Sequence, residues 1–207
     1  MTAPYGISSQ DGQHIPLTDL LNQIRGCNLC AEHLPLGPNP VIRVSADSPI
    51  LIIGQAPGTR VHQTGIPWND PSGDRLRQWL NVDPATFYNT HNFSIMPMGL
   101  CYPGKGKSGD LPPRKECAPQ WHDRVWSELI NVKLVLLIGQ YAQKAYLNDE
   151  FRTLTERVKN FRSLPEPFFA LPHPSPRNQL WLKKNAWFEQ TVIPELQRRT
   201  RKLIDIP

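Results

Sequence analysis

Two short apolar runs in this chain end in the same way. Residues 50–55 read "ILIIGQ" and residues 134–140 read "LVLLIGQ". Each is aliphatic throughout and stops at a glycine. A half-exposed strand alternates apolar and polar residues. A run that does not alternate is buried on both faces, as strands are inside a parallel sheet. "NFSIMPMGLC" (92–101) and "PFFALPHPS" (167–175) supply two more strand segments. Parallel neighbours need long crossovers, so helices must lie between them. The expected fold is a three-layer α/β/α sandwich around a central, mainly parallel four-stranded sheet. With 207 residues, 39% hydrophobic and 20% charged, residues 1–207 read as one domain with a sizeable core.

The intervening segments carry helical spacing. "IPLTDLLNQIRGC" (15–27) puts Leu17, Leu20, Leu21 and Ile24 on one face, with Thr18 or Asp19 as its cap. "SGDRLRQWLNV" (72–82) does the same with Leu76, Trp79 and Leu80, with Ser72 or Asp74 near its start. Residues 113–132 and 141–149 read as helices. Residues 179–205 read as mostly helix, including a basic stretch over 186–204 that Pro194 kinks or restarts.

In parallel sheets, ligands bind beyond the carboxyl ends of the strands. Three such ends carry unusual polar sequences: "GQAPG" (54–58), "IGQYA" (138–142) and "HPSPRN" (173–178). The last cannot lie within a helix, because Pro174 and Pro176 each remove a backbone donor. It is too polar for a core strand. It reads as a stiff loop presenting side chains, and a parallel sheet puts it on the same rim as "GQAPG".

Charge is uneven. Residues 151–207 hold 11 Lys+Arg against 5 Asp+Glu, while the first 150 residues net −1. A basic quarter on a near-neutral body suits a polyanion partner, although "QRRTRK" also reads as a solvated helix end. No apolar run approaches the ~20 residues that span a membrane, and the N-terminus lacks the regions of a secretion signal. The expected setting is cytoplasmic.

Four cysteines are present: Cys27 and Cys30 as C-x2-C, then Cys101 and Cys117. Disulfides are unfavourable in that compartment, and four cysteines with none left over suggest a metal site. Zinc and an iron–sulfur cluster both accept four thiolates. Structural zinc usually takes two close pairs. The wide second gap therefore favours a [4Fe–4S] cluster, with zinc as the alternative. "PGKGKSGD" (103–110) is not a phosphate loop, because a Walker motif needs glycine where Cys101 stands. It reads as a flexible basic loop between cluster ligands.

Together these motifs resemble the uracil-DNA glycosylase superfamily. "GQAPG" and "HPSPRN" look like its two signature motifs. The cysteine pattern resembles its iron–sulfur branch. "GQAPGTRVHQTGIPWNDPSGDRLRQWL" is most like the bacterial family 5 type. Family 1 enzymes carry a catalytic aspartate where this chain has Ala56, and family 4 members a glutamate where it has Gln55. Many relatives read uracil with an asparagine at the position of Pro97.

The resemblance implies a monomeric, monofunctional glycosylase of base excision repair. It would hydrolyse the N-glycosidic bond of uracil, and of other deaminated bases, in DNA. Asp70 would orient water and stabilise the sugar cation, and His173 would donate to the departing base. Trp68 would stack on a flipped base beside Gly54, Gln55, Ala56, Pro57, Gly58 and Asn69. Ser175, Arg177 and Asn178 would contact DNA. Asp70 has a plain alternative as a helix N-cap. Two rival readings stand: a catalytically weak protein of the same fold that binds damaged or single-stranded DNA, and a zinc protein with no DNA role.

Overall fold

The computed structural model describes residues 15–107 and 109–204. The unbroken apolar runs form β1 (Ile50–Ile53) and β3 (Leu134–Ile138), and every residue of both is buried. With β2 (Phe93–Ile95) and β4 (Phe168–Leu171) they make one sheet in the order β2-β1-β3-β4, all pairs parallel. Helices surround it: α1 (Leu17–Arg25), α2 (Thr59–Thr64), α3 (Pro71–Leu80), α4 (Pro84–Tyr88), α5 (Cys117–Trp126), α6 (Gln140–Tyr146), α7 (Leu154–Lys159), α8 (Gln179–Lys184) and α9 (Ile193–Arg201). The α/β fold with a parallel four-stranded sheet is as the sequence predicts.

The chain leaves β1 towards β2 on one side, then crosses to β3 and β4 on the other. Strand order therefore reverses between β1 and β3, and a crevice opens at their carboxyl ends. Gly139, just past β3, has φ 83°, a left-handed turn that suits glycine.

Several boundaries differ from expectation. β2 is only three residues long because Pro97 has no amide to donate. The chain nevertheless keeps running beside the end of β1. Met96 N–H donates to Ile52 O (3.0 Å), Met98 N–H to Gly54 O (2.9 Å) and Gly99 N–H to Gln55 O (2.9 Å). Pro97 is thereby laid against "GQ". Neither Thr18 nor Asp19 caps α1; Pro16 holds the N-cap position without a side-chain hydrogen bond. Ser72 and Asp74 lie inside α3, whose cap is Asp70.

The helix expected over 113–132 occupies only the ten residues of α5. The C-terminal helix is broken into α8, a π-helical turn at Phe188–Val192, and α9, with Pro194 in the first turn of α9. Two of the basic residues there are engaged. Arg198 and Arg199 pair with Glu195 at 2.6 and 3.0 Å, and Arg199 reaches Glu166 at 3.1 Å. Among the described residues no helix is long and apolar enough to cross a membrane.

Candidate active site

The carboxyl ends of β1, β2 and β4 deliver three loops to one small cavity of about 50 Å³. That is room for roughly three to five waters. Gly54, Gln55, Ala56 and Pro57 line it from β1, Pro97 from β2 and His173 from β4. Pro67, Trp68 and Asp70 close it from the turn before α3. The structure thus brings together seven of the nine residues that the sequence assigns to catalysis and the base pocket. Gly58 and Asn69 lie just outside the cavity wall, and the Asn69 amide reaches Thr64 Oγ1 at 3.5 Å.

Trp68 is held in an unusual backbone conformation. Its φ is 57°, a left-handed value that costs a bulky residue about 1–3 kcal/mol. Three neighbours hold the turn there. Arg77, buried, donates to Trp68 O at 3.2 Å and to the Tyr88 hydroxyl at 3.3 Å. Tyr88 donates to Pro67 O at 3.0 Å. Gly73 must lack a side chain, because a Cβ there would sit 1.7 Å from Trp68 O. The indole lies so close over Gly54 that a Cβ there would meet it at 2.9 Å. The His173 ring stands 5.7 Å away, centroid to centroid. Arg77, Tyr88 and Gly73 are functional supports that sequence reasoning missed; only the glycine inside an amphipathic helix hinted at a close backbone approach.

Asp70 is an N-cap that also lines the cavity. Gly73 N–H donates to its Oδ1 at 2.8 Å. A carboxylate has two oxygens, so capping with one leaves the other for chemistry. His173 lies within its electrostatic reach. Burial lowers the His173 pKa, and the Asp70 charge opposes that shift. His173 is therefore a neutral imidazole at neutral pH. Its Nδ1 is buried and has no hydrogen-bond partner among the described residues. An unmet buried polar atom costs about 1–3 kcal/mol, a cost that a ligand atom can remove.

The "HPSPRN" loop is braced from within. Asn178 donates to His173 O at 2.7 Å, Arg177 N–H to Ser175 Oγ at 3.2 Å, and Arg75 to Ser175 O at 3.0 Å. Asn178 thus spends its side-chain nitrogen on the loop itself, while Arg177 is exposed at the rim.

Behind the cavity floor lies a chain of hydrogen bonds that the sequence did not announce. His122 is fully buried on α5. Its Nε2 faces Pro97 O at 3.1 Å and its Nδ1 the Tyr146 hydroxyl at 2.6 Å. A carbonyl only accepts, so Nε2 carries the proton and Nδ1 accepts from Tyr146. Burial pushes the His122 pKa down to about 4. The unfolded chain takes this proton first, near its ordinary value of 6.5. Stability from neutral His122 is therefore full above about pH 6.5 and lost as pH falls towards 4, by about 3 kcal/mol at most. The melting temperature should fall over that window, and the fall should be shallower in His122→Gln. Equal slopes in the two proteins would show that His122 is not the group responsible.

All four cysteines are free thiols. They come from four separate places: the turn after α1, the start of a short 3-10 helix, the loop after β2 and the first residue of α5. They nonetheless gather in one region. Burial pushes Cys101 up to about 11 and Cys117 to about 12, and each is raised further by Cys27 and Cys30. Leu100 N–H points at Cys117 Sγ (3.3 Å). Among the described residues no three His, Cys, Asp or Glu side chains stand close enough to hold an ion as they are.

In the segment after Cys101, Lys105 and Asp110 form an isolated antiparallel bridge.

Compared with models of known protein families, residues 42–197, about three quarters of the chain, match that of the uracil DNA glycosylase superfamily. Cys27 and Cys30 precede the matched span, and Cys101 and Cys117 fall within it.

Proposed function

The chain belongs to the uracil DNA glycosylase superfamily, whose members act on DNA, and from that premise we propose that it removes uracil from DNA as a monofunctional glycosylase. The observation that carries this reading is the single small cavity shared by Trp68, Asp70 and His173. Pro97 offers the base no side-chain hydrogen bond, so recognition falls to shape, to His173 and to peptide groups of residues 54–58. Other deaminated bases would follow as weaker substrates.

The chemistry balances with residues of this chain. As the C1′–N bond breaks, its electron pair leaves with the base, and a water oxygen bonds to C1′ while Asp70 accepts the water proton. Asp70 also faces the positive charge that builds on the sugar. His173, neutral, donates a hydrogen bond to the base carbonyl where negative charge collects. Trp68 stacks on the base once it has left the duplex. No Schiff-base lysine is needed, since Lys183 and Lys184 lie at the end of α8, beyond the motif. The test is abasic-site formation on oligonucleotides containing uracil, hypoxanthine or xanthine. Release of uracil fastest is expected. No release from any of them would leave the rival reading, a DNA-binding protein of the same fold.

We read the four thiols as the set that would draw together around a structural [4Fe–4S] cluster. Cys27, Cys30, Cys101 and Cys117 would hold it, tying the turn after α1 to the 101–117 segment. Two observations support the fit. Cys101 is buried and Cys117 half-buried, and burial pushes their thiols up to about 11 and about 12, which a bound cation would reverse. An amide points at Cys117 Sγ, the kind of hydrogen bond that tunes cluster sulfurs. Protein purified anaerobically should contain about four irons per chain. Cys27→Ser should lower both iron content and soluble yield. Stoichiometric zinc without iron would overturn the assignment.

A further inference from the structure

The segment between the third and fourth cysteines is built as an arm beside the loops that flank the cavity. Leu111 N–H donates to Gly104 O (2.8 Å) and Gly106 N–H to Gly109 O (2.6 Å). Its base is tied to the first signature loop, where Gln55 Nε2 donates to Leu111 O at 3.2 Å. Asp110 Oδ2 lies over Gly58, 3.5 Å from where a Cβ would stand. Its far end meets the second signature loop: a Cβ on Gly109 would come within 2.8 Å of Arg177 Nη1. Burial raises the Asp110 pKa, while Arg177 and Lys105 lower it, so its carboxylate faces both cations. The segment thus touches both "GQAPG" and "HPSPRN", the two loops that flank the cavity.

Outwards this arm carries two cations and one carboxylate: Lys105, Lys107 and Asp110 are exposed, and no ion pair closes on either lysine among the described residues. Two lysines on a surface loop are ordinarily just solvated. Here they stand on a glycine-rich arm that touches both loops flanking a DNA-acting site. That placement supplies positive charge where the phosphates flanking a flipped nucleotide must pass.

We infer that the arm made by residues 104–107 and 109–111 grips phosphate, with Lys105 and Lys107 each neutralising one phosphate of the DNA strand beside the cavity. The inference rests on the DNA-acting reading of this site and adds a contact that neither signature motif supplies. The test is equilibrium binding to undamaged single-stranded and duplex oligonucleotides over a salt series, which involves no chemistry. For Lys105→Ala/Lys107→Ala, the slope of log K against log salt should be shallower by about 1.8 on duplex and about 1.4 on single strands. Lys105→Arg/Lys107→Arg should keep the original slope, which separates charge from packing. An unchanged slope in the alanine variant would overturn the inference, even if the wild-type enzyme releases uracil. A shallower slope in a protein that releases no base would uphold the arm and overturn the glycosylase reading instead.

Discussion

His173→Ala should cut kcat on a uracil-containing oligonucleotide by ~10²–10³-fold, the loss typical of removing an oxyanion-hole donor. DNA binding should weaken far less. The reason lies in when the hydrogen bond strengthens. Before reaction the base carbonyl is neutral, and His173 gains little from it. As the C1′–N bond breaks, charge collects on that carbonyl, and a fixed donor then stabilises the transition state more than the bound substrate. Burial lowers the pKa of His173, so it meets the carbonyl as a neutral donor that does not need to give up its proton. The loop is already set in the shape this requires. Asn178 and Arg75 hold its carbonyls, and its prolines limit its freedom. Arg177→Ala should separate from it, weakening binding with little effect on the chemical step. If His173→Ala loses only thermal stability, and activity per folded molecule is unchanged, the histidine is structural and the reading of this site fails.

Asp70→Asn should lower kcat by at least ~10²-fold with DNA affinity nearly intact. The choice of asparagine follows from the geometry. Asp70 caps α3 through Gly73 N–H, and alanine would remove the cap and the charge together, costing about 1 kcal/mol of stability. Asparagine caps nearly as well as aspartate. It therefore keeps the turn that positions Trp68 while removing the proton acceptor and the negative charge facing the sugar. Rates measured under single turnover, with melting temperatures beside them, separate the two roles. A variant as active as the wild type would remove the carboxylate from the mechanism and point to Asn69 or a backbone-held water instead. If wild type and Asp70→Asn bind damaged DNA alike and neither releases base, the protein recognises lesions without excising them.

The strands, their parallel pairing and the rim that carries the site were legible in the sequence, because they depend on local periodicity and on where glycine and proline interrupt it. "ILII" and "LVLLI" lack polar alternation, and only a two-sided burial explains that. The two signature loops are contiguous segments, so their residues are near one another in any fold. The supports of the site were not legible. Arg77 under Trp68, His122 behind Pro97, Gln55 on Leu111 and Arg75 on Ser175 join residues 9 to 100 positions apart. Each is a polar group whose partner is chosen by which elements the sheet order brings together. Composition and spacing mark such a residue only as an arginine, histidine or glutamine on some face of some element. The arm shows the same limit. "GKGKSGD" reads as a loose basic loop because its glycines forbid nothing, and the contacts of Leu111 with Gln55 and of Gly109 with Arg177 come only from the tertiary fold. Local sequence determined the strands and the contents of the rim; long-range packing decided how Trp68, Asp70 and His173 face one cavity and what packs beside the loops that line it.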